Sequence, residues 1–262
     1  GETYRVSFYA RAPKPLKIGL YLMSAGNEVI AKPKVAVTVD SNQWKRYETQ
    51  MTASRMEPNG RFIFELADEG TVDVDHISMF PKTTWQGREN GLRPDLMHAL
   101  YDLKPKHFRF PGGCIVEGFF LKDRYRWKNS VGAVEERIPV QSMWGMSPEK
   151  FVPGYVQSLG LGFYEYFLMA EDLGAEPMPI LNCGLACQAR SCEVEPLDKM
   201  QPYLQDALDL IEFANGPTDT KWGALRAQMG HPEPFNMKII GIGNEQRGEV
   251  YQERLKLFVD LL

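Results

Sequence analysis

Residues 238–249, KIIGIGNEQRGE, place an amide and a carboxylate directly after an apolar run. The run is suited to a buried strand, and it ends in Asn244 and Glu245. A glutamate at a strand end, preceded by an amide, suits acid/base chemistry on a glycosidic oxygen. That chemistry requires the glutamate pKa to be raised by burial or by a second carboxylate. The alternative is a structural Glu245 that forms an ion pair with an arginine such as Arg247.

Two other apolar runs end in residues that expose backbone or polar atoms. HFRFPGGC ends in Gly112, Gly113 and Cys114, and EPMPILNCG ends in Asn182. In a barrel of parallel strands all carboxyl ends lie on one face, which is where such barrels carry their chemistry. We therefore expect these residues to lie near Glu245, on one rim of the fold.

From residue 82 onward the pattern predicts alternating strands and helices, with short, apolar strands typical of parallel sheets buried on both faces. The last helix is expected to turn Leu255, Phe258, Val259 and Leu262 inward. A doubly wound sheet and a (β/α)8 barrel both fit this pattern, and the absence of a GxGxxG motif after a strand favours the barrel.

The length of this second part limits the architecture. About 180 residues follow the first domain, and they contain three clear strand–helix units. A (β/α)8 barrel needs about 250 residues. The sequence therefore predicts an incomplete α/β barrel over residues 82–262.

Residues 1–81 are predicted to form an all-β domain. Short segments with alternating apolar residues are separated by turn residues, which favours an antiparallel sandwich or jelly roll. Tyr9, Trp44 and Tyr47 are candidates for stacking on sugar rings, and the alternative is packing in the core or at a sheet edge.

Composition excludes some classes of function. The chain has 262 residues and a net charge of −4, so nothing suggests a nucleic-acid-binding surface. The sequence contains no apolar run of about eighteen residues, so we expect no membrane-spanning helix. No signal peptide is present, but the opening strand pattern leads us to expect a piece of a larger polypeptide.

The cysteines allow more than one interpretation. Cys183, Cys187 and Cys192 are close in sequence, whereas Cys114 follows a separate strand. Their spacing matches no CxxC pair and no histidine is near, which disfavours a zinc site. Free thiols, or one disulfide in an oxidising compartment, are the alternatives.

Several motifs occur together in the order of a known family. SMFPKTTWQGRENGLRPDLMHALYDLKPKHFRFPGGCIVEG, ILNCGLACQ and GHPEPFNMKIIGIGNEQRG resemble family 51 glycoside hydrolases, the α-L-arabinofuranosidases. The resemblance is strongest to the Bacteroidetes and plant-like branch, in which a carbohydrate-binding-like sandwich precedes the FRFPGGC strand. It runs from about residue 70 to the end of the chain.

The resemblance implies a (β/α)8 barrel, of which residues 82–262 hold about strands two to four. It implies retaining hydrolysis of terminal α-L-arabinofuranosyl residues from arabinan or arabinoxylan. Glu245 matches the general acid/base at the end of barrel strand four, and Asn244 matches its sugar-binding partner. Gly112 and Gly113 match a turn that lets the backbone approach the furanose. Many bacterial members have asparagine at the position of Cys114, whereas members of the plant-like branch have cysteine there, as this chain does.

Three further residues are substrate-site candidates. Arg109 is expected to orient or charge-balance the nucleophilic carboxylate, or else to form a structural salt bridge. Asn182 ends the second strand of the predicted barrel. Trp144 lies in the loop after PGG, where it would wall a sugar subsite or pack against the protein.

The family's nucleophile is a second glutamate on a later barrel strand, about a hundred residues beyond Glu245 and outside this chain. Glu249 and Glu253 are expected on the following helix, facing away from the barrel mouth. Glu117 is expected to form an ion pair that stabilises its loop. Because retaining hydrolysis needs two carboxyl groups about 5 Å apart, we expect the fragment alone to be inactive.

Two other functions fit parts of the sequence. One is a non-catalytic carbohydrate-binding module with an attached scaffold. The other is a different retaining barrel glycosidase, such as a xylanase or xylosidase, which the PGGC and GHPEPF motifs disfavour. The predicted chemistry requires no metal or organic cofactor. The expected partner is an arabinose-containing oligo- or polysaccharide, and the sequence is compatible with an oligomeric protein. The expected location is secreted or periplasmic.

Overall fold

The computed structural model describes residues 1–145 and 154–262. It divides into two compact units, Gly1–Ala99 and Leu100–Leu262. The predicted domain boundary after residue 81 coincides with the end of a strand at Pro81. The first compact unit continues beyond that strand to Ala99, so the two divisions differ by about one helix.

The first unit contains seven antiparallel strands. These are β1 (Thr3–Arg11), β2 (Leu16–Met23), β3 (Val29–Ala31), β4 (Val37–Val39), β5 (Lys45–Thr52), β6 (Arg61–Leu66) and β7 (Asp73–Pro81). Strand β1 lies between β5 and β7 in one sheet, and β2 pairs with β3, β4 and β6 in the other.

Both sheets contribute to one apolar core. On β1 the buried residues are Val6, Phe8 and Ala10, at every second position, because side chains alternate between the faces of a strand. The opposite sheet adds alternate residues of β2, including Ile18 and Leu20, to the same cluster. The alternating apolar residues of the first domain therefore face a shared core between two antiparallel sheets, as the sequence predicts.

Two of the aromatic candidates in this unit differ in exposure. Tyr47 is buried and stacks on Phe8, with 5.7 Å between ring centroids, so it belongs to the core. Trp44 is 46% exposed, and the Arg11 guanidinium lies 5.0 Å from its ring. Trp44 is therefore the better placed of the two to meet a sugar ring.

The second unit is mixed α/β. Its strands are β8 (His107–Phe110), β9 (Val140–Gln141), β10 (Val156–Gln157), β11 (Glu176–Leu181) and β12 (Gly241–Ile242). Within the described residues the α-helices are α1 (Pro94–Asp102), α2 (Cys114–Glu117), α3 (Phe163–Leu173), α4 (Gln201–Asn215), α5 (Lys221–Gln228) and α6 (Glu249–Leu261), and α1 crosses the boundary between the units.

Strands β8, β11 and β12 form a parallel sheet with β11 in the middle. Helix α3 connects β8 to β11 in the chain, and α4 and α5 lie between β11 and β12. An aromatic cluster fills the space beside the sheet, where Phe110 of β8 contacts Phe163 and Phe167 of α3 edge to face. This packing fixes the carboxyl end of β8, from which the site residues continue.

Helix α6 differs from its predicted orientation. Phe258 is fully buried as expected, but Val259 is 68% exposed and Leu262 is also exposed. Arg254 takes the inward position one turn before Phe258, because its guanidinium donates hydrogen bonds to the carbonyls of Val250 and Glu195. An arginine that caps carbonyls thus lies on the inner face where the apolar pattern predicts only hydrophobic residues.

All four cysteines are free thiols. Of the two alternatives from the sequence, free thiols or one disulfide, the structure has the first. In the part of the chain that the structure describes, no helix combines the length and hydropathy needed to cross a membrane.

Candidate active site

The turn after β12 places the candidate acid/base. Gly243 follows the strand with a φ of 78°, and a Cβ there would lie 2.5 Å from the side-chain oxygen of Gln246. Only glycine fits this position, because it combines a left-handed backbone with a close contact. The turn directs Asn244 into the protein, where it is buried, and leaves Glu245 exposed.

Glu245 itself has a left-handed backbone, with a φ of 55°. Such a conformation is uncommon for a residue with a side chain and costs about 1–3 kcal/mol, so neighbouring contacts must hold it. The Cys114 thiol lies 3.5 Å from Glu245 Oε2 and donates a hydrogen bond to it. Arg247 does not pair with Glu245 among the described residues, and its backbone is instead bonded to the Gln188 side chain.

Arg109 orients the Asn244 amide. The guanidinium donates to Asn244 Oδ1 at 2.7 Å and to the Gly112 carbonyl at 2.9 Å. One side chain therefore ties the loop after β8 to the turn after β12. Asn244 Nδ2 is buried without a hydrogen-bond partner in the described residues. The bond from Arg109 fixes which end of the amide carries that unpartnered donor.

A second connection runs through Glu117 and Gln246. Gln246 Nε2 donates to Glu117 Oε1 at 2.8 Å, and Gln246 Oε1 accepts the backbone N–H of Asn244. Glu117 is 1% exposed, and its other oxygen, Oε2, is buried without a hydrogen-bond partner within the described ranges. The predicted loop ion pair of Glu117 is thus replaced by an amide contact, which supports the turn that carries Glu245.

Burial raises the pKa of Glu117, and the nearby charge of Glu245 adds to this shift, while contacts with Cys187, Asn244 and Cys114 oppose it. Burial also raises the pKa of the Cys114 thiol to about 11, and the carboxylates of Glu117 and Glu245 contribute further. Both shifts have the same main cause, because charge is poorly solvated in this buried region.

The two glycines after β8 have different geometric roles. Gly112 has a φ of 150°, and a Cβ there would come within 3.2 Å of Ile115. A Cβ on Gly113 would lie 3.4 Å from Asn244 Oδ1. The glycine pair therefore brings the loop backbone against the Asn244 amide. Its predicted approach to the furanose stays a prediction.

Asn182 lies at the end of β11 but is used inside the protein. Its Nδ2 donates to the carbonyls of Val116 and Leu185, both at 3.0 Å, and its Oδ1 accepts the N–H of Gly184 at 2.7 Å. Both ends of the amide are engaged, and the residue is buried. These bonds revise its assignment from substrate contact to support of the rim loops.

Trp144 lies in a single 3-10 turn, Met143–Gly145, directly before the residues that the structure does not describe. The ring is 59% exposed, and the Arg190 guanidinium lies 6.0 Å from it. Since Arg190 belongs to the loop after β11, Trp144 lies beside a rim loop. Its predicted contact with a sugar remains a prediction.

Sequence reasoning did not identify Gln246 and Cys187 as site residues. Gln246 immediately follows Asn244 and Glu245 in the sequence. This position next to the candidate acid/base was the only sequence signal for its role. Cys187 comes from the loop after β11, and its Sγ lies within 4.8 Å of donor atoms of Cys114 and Glu117. No spacing in the sequence predicts that contact, because it depends on how two loops dock.

The arrangement supplies one exposed carboxyl group, Glu245, beside a fixed amide and a thiol. Such a group can protonate a leaving oxygen or take a proton from water. Retaining glycoside hydrolysis also needs a nucleophilic carboxylate about 5 Å away. Glu117 does not meet that need, because it is buried and bonded to Gln246.

Both parts of the chain match known domain families. The "Alpha-L-arabinofuranosidase 1 domain" matches residues 99–262, and a "Carbohydrate binding domain" matches residues 1–71. An extracellular exo-α-L-arabinofuranosidase of Streptomyces chartreusis is 36% identical over 98% of this chain and 31% of its own length. α-L-Arabinofuranosidase 1 of Arabidopsis thaliana is 37% identical over 96% of this chain and 35% of its own length.

A solved structure of an arabinose-bound GH51 α-L-arabinofuranosidase superposes with a TM-score of 0.86 and 28% identity, over 99% of this chain and 41% of the other. The chain thus spans about a third of the length of the curated relatives that it matches. Because the arabinofuranosidase domain match covers more than half of the residues, the chain belongs to the family 51 α-L-arabinofuranosidases.

Proposed function

We propose that this chain supplies the acid/base half of the active site of a retaining α-L-arabinofuranosidase. The enzyme would remove terminal α-L-arabinofuranosyl residues from arabinan or arabinoxylan, and its nucleophile would come from the rest of the polypeptide. The observation that carries the proposal is the exposed Glu245 at the end of β12, in a left-handed turn held through Gln246 and beside an Asn244 oriented by Arg109.

The proposed architecture follows from the strand order. Strands β8, β11 and β12 are parallel and lie side by side in the sheet in the order in which they occur along the chain, as consecutive strands of a (β/α)8 barrel do. We assign them to barrel strands two to four, and we assign the first unit to a jelly-roll-like carbohydrate-binding fold. On this assignment the residues after all three strands line the barrel mouth.

In the proposed mechanism Glu245 first protonates the glycosidic oxygen of the leaving group. After the arabinosyl–enzyme ester has formed on the nucleophile, the Glu245 carboxylate removes a proton from the attacking water. Asn244 Nδ2 is a donor without a partner among the residues described. We assign it to a furanose hydroxyl next to the reacting carbon, where the bond would strengthen in the transition state.

The test is Glu245→Ala in the full-length polypeptide. Loss of the general acid should reduce hydrolysis of substrates with poor leaving groups by about 10²- to 10⁴-fold. Aryl arabinofuranosides with good leaving groups need less protonation, so their first step should be spared. Azide should then restore turnover and yield an arabinosyl azide of retained configuration.

The matched control for this test is Glu253→Gln, on the exposed side of α6, which should keep wild-type kinetics. Wild-type hydrolysis of a poor-leaving-group substrate by the Glu245→Ala variant would disprove the acid/base assignment.

A second candidate function concerns the first unit. Residues 1–71 match a carbohydrate-binding domain, and Trp44 is an exposed aromatic ring that could stack on a sugar. Trp44→Ala in the full-length protein should weaken binding to soluble arabinan or arabinoxylan in calorimetry. Met56→Ala, at a residue that is 93% exposed, is the control and should leave binding unchanged. Equal affinity of the Trp44 variant and the wild type would assign the unit a structural role.

We also propose that the enzyme works outside the cytoplasm, in the secreted or periplasmic space. The support is its 36% identity to a relative described as extracellular. Fractionation of the native host, with activity measured in each fraction, tests this placement.

A further inference from the structure

Three side chains with metal-binding atoms meet beside Glu245. Cys114 Sγ, a carboxylate oxygen of Glu117 and Cys187 Sγ all lie within 4.8 Å of one another. Glu117 and Cys187 are buried, and Cys114 is partly buried. Two thiols and a carboxylate are a donor set suited to zinc-class cations rather than to magnesium or calcium.

The backbone holds these donors in place. Cys114 and Glu117 are the first and last residues of α2, and side chains three positions apart lie on the same face of a helix. The loop that carries Cys187 is docked on this helix, since Cys187 N donates to the Gly118 carbonyl at 3.2 Å. Farther along the loop, Glu193 accepts the backbone N–H of Leu121 at 2.7 Å.

A second observation also indicates a bound cation. Glu117 Oε2 is buried and makes no hydrogen bond of standard geometry in the described parts of the chain, although the side chains of Cys187, Asn244 and Cys114 lie close enough to lower the pKa of this carboxyl. Within the same residues, neither Glu117 nor Glu245 forms a salt bridge. A buried carboxylate is costly unless a proton or a cation accompanies it. A metal ion among the three donors would supply that positive charge.

We propose that Cys114, Glu117 and Cys187 form a binding site for a thiophilic divalent cation, and that its occupation inhibits the enzyme. Glu245 offers a further carboxylate, whose Oε2 lies 3.5 Å from Cys114 Sγ. Glu245 would complete a four-coordinate site. The inhibitory part rests on the proposed acid/base role of Glu245, whereas metal binding itself does not.

The coordination chemistry sets two requirements. Donors of a tetrahedral zinc site lie about 2.0–2.3 Å from the metal and so about 3.3–3.8 Å from one another. Since the three donors lie within 4.8 Å of one another, they need to approach by at most about 1.5 Å. Each thiol that coordinates does so as a thiolate, and its proton passes to solvent. Binding should therefore weaken as the pH falls and release up to two protons per ion.

The test uses the full-length polypeptide with Cd²⁺ and Zn²⁺ as probes. Cd²⁺ should produce a thiolate-to-metal absorption band that saturates at one ion per chain. Zn²⁺ should inhibit arabinofuranoside hydrolysis, and free arabinose should compete with it. Cys187→Ser should weaken Cd²⁺ binding and Zn²⁺ inhibition by at least about tenfold, because it removes one of two thiolates.

The matched control is Cys192→Ser, which removes the exposed thiol of the same loop and should leave both readouts unchanged. Because Cys187 is buried, Cys187→Ala is made in parallel, and thermal melting checks that both variants are folded. Cd²⁺ binding of equal strength in wild type and in the folded Cys187 variants would overturn the site.

The site and its effect on catalysis can fail separately. Stoichiometric Cd²⁺ binding that depends on Cys187 but leaves hydrolysis unchanged would overturn the inhibitory coupling and retain the site. A metal-free full-length enzyme without arabinofuranosidase activity would overturn the proposed function instead, and the Cd²⁺ absorption band would still report the site.

Discussion

The two units of this chain treat polar groups in different ways. In the first unit the ion pairs lie at the surface, with both side chains at least about a third exposed, as for Arg11 and Asp73. The second unit also has exposed ion pairs, such as Lys256 with Asp260, but it additionally buries charged groups, such as Arg137 beside Glu165. All five buried polar side-chain atoms without a hydrogen-bond partner in the described residues belong to it: Glu117 Oε2, Asp123 Oδ2, the Tyr125 hydroxyl, Asn244 Nδ2 and Arg254 Nε.

This difference indicates where chemistry can occur. Buried polar groups in folded proteins are nearly always bonded, and each exception requires an explanation. Two of the five exceptions, Glu117 and Asn244, lie beside Glu245, where a substrate or a cation would provide the partner. The sandwich leaves no such atom in its described residues and instead offers an exposed aromatic ring. This contrast agrees with the proposed roles, in which the second unit contributes to catalysis and the first to surface binding.

The largest expected effect is on stability, at Arg226. This side chain is fully buried and donates to the carbonyls of Phe213, Gly216, His231 and Pro232, at 2.7–3.1 Å. Arg226→Met keeps most of the packing but leaves these carbonyls without their donor. We expect a loss of about 3–5 kcal/mol in the free energy of unfolding of the second unit, measured by denaturant titration.

The comparison for Arg226 is Arg55→Met in the sandwich. Arg55 forms an exposed ion pair with Glu28 at 2.5 Å. Because exposed pairs contribute little, Arg55→Met should leave the free energy of unfolding of the first unit unchanged within experimental error. Losses of similar size at the two arginines would break the contrast between the units.

The next effect is on activity, at Gln246. Gln246→Leu removes both the donor to Glu117 and the acceptor of the Asn244 N–H, so the strained turn at Glu245 loses its support. We expect kcat in the full-length enzyme to fall about 10- to 100-fold, equivalent to about 1.4–2.7 kcal/mol. KM should change little, since the sugar contacts remain.

Gln50→Leu, at an exposed position of β5, provides the comparison for Gln246 and should leave kcat unchanged. If both glutamine variants kept wild-type kcat, the connection through Glu117 and Gln246 would not position Glu245.

The sequence predicts much of this fold, for physical reasons that differ between the units. Alternation identifies β1 because one face of that strand is buried and the other is not. The apolar residues of Phe163–Leu173 recur at helical spacing, and Gly174 ends this helix in a left-handed conformation that suits glycine. The outward position of Val259 was not predictable, since periodicity alone cannot anticipate that Arg254 would cap carbonyls on the inner face.

The candidate site is predictable only in part. Strand ends predict that Gly113 and Asn244 lie on one rim, because carboxyl ends of parallel strands share an edge. The internal use of Asn182 and the contact of Cys187 with Glu117 depend on how the loops dock, and local sequence does not encode this docking. Glu117 is the clearest case, because the expectation is an ion pair that stabilises its loop, whereas the carboxylate is buried and accepts a hydrogen bond from Gln246.

A smaller effect is expected at Lys128, which pairs with Asp206 and Asp209 and is 23% exposed. Burial alone would raise the pKa of Asp209, but hydrogen bonds from Lys128 and Gln205 outweigh it and hold the pKa below the ordinary 3.8. Lys128→Met should cost about 1–2 kcal/mol of unfolding free energy at neutral pH.

The pH dependence of this pair has a definite sign. The folded pKa of Asp209 lies below the unfolded value, so the contribution is present above pH 3.8 and disappears as the pH falls through the folded value. The stability difference between wild type and Lys128→Met should therefore shrink as the pH is lowered from neutral to below 3.8. A constant difference across that range would show that packing of the lysine chain, and not its charge, is responsible.

The smallest effect is expected at Asp40, the matching carboxylate of the sandwich. Hydrogen bonds from Lys45 and then from Tyr47 lower its pKa, so its contribution has the same sign as that of Asp209 and is also lost in acid. Asp40 is exposed to water, however, and salt screens such pairs. Asp40→Asn should lower the melting temperature slightly in dilute buffer and not at all at high salt. A loss of stability that does not depend on salt and is as large as that of Lys128→Met would mean that the first unit also relies on a buried ionic network. That result would contradict the contrast between the two units.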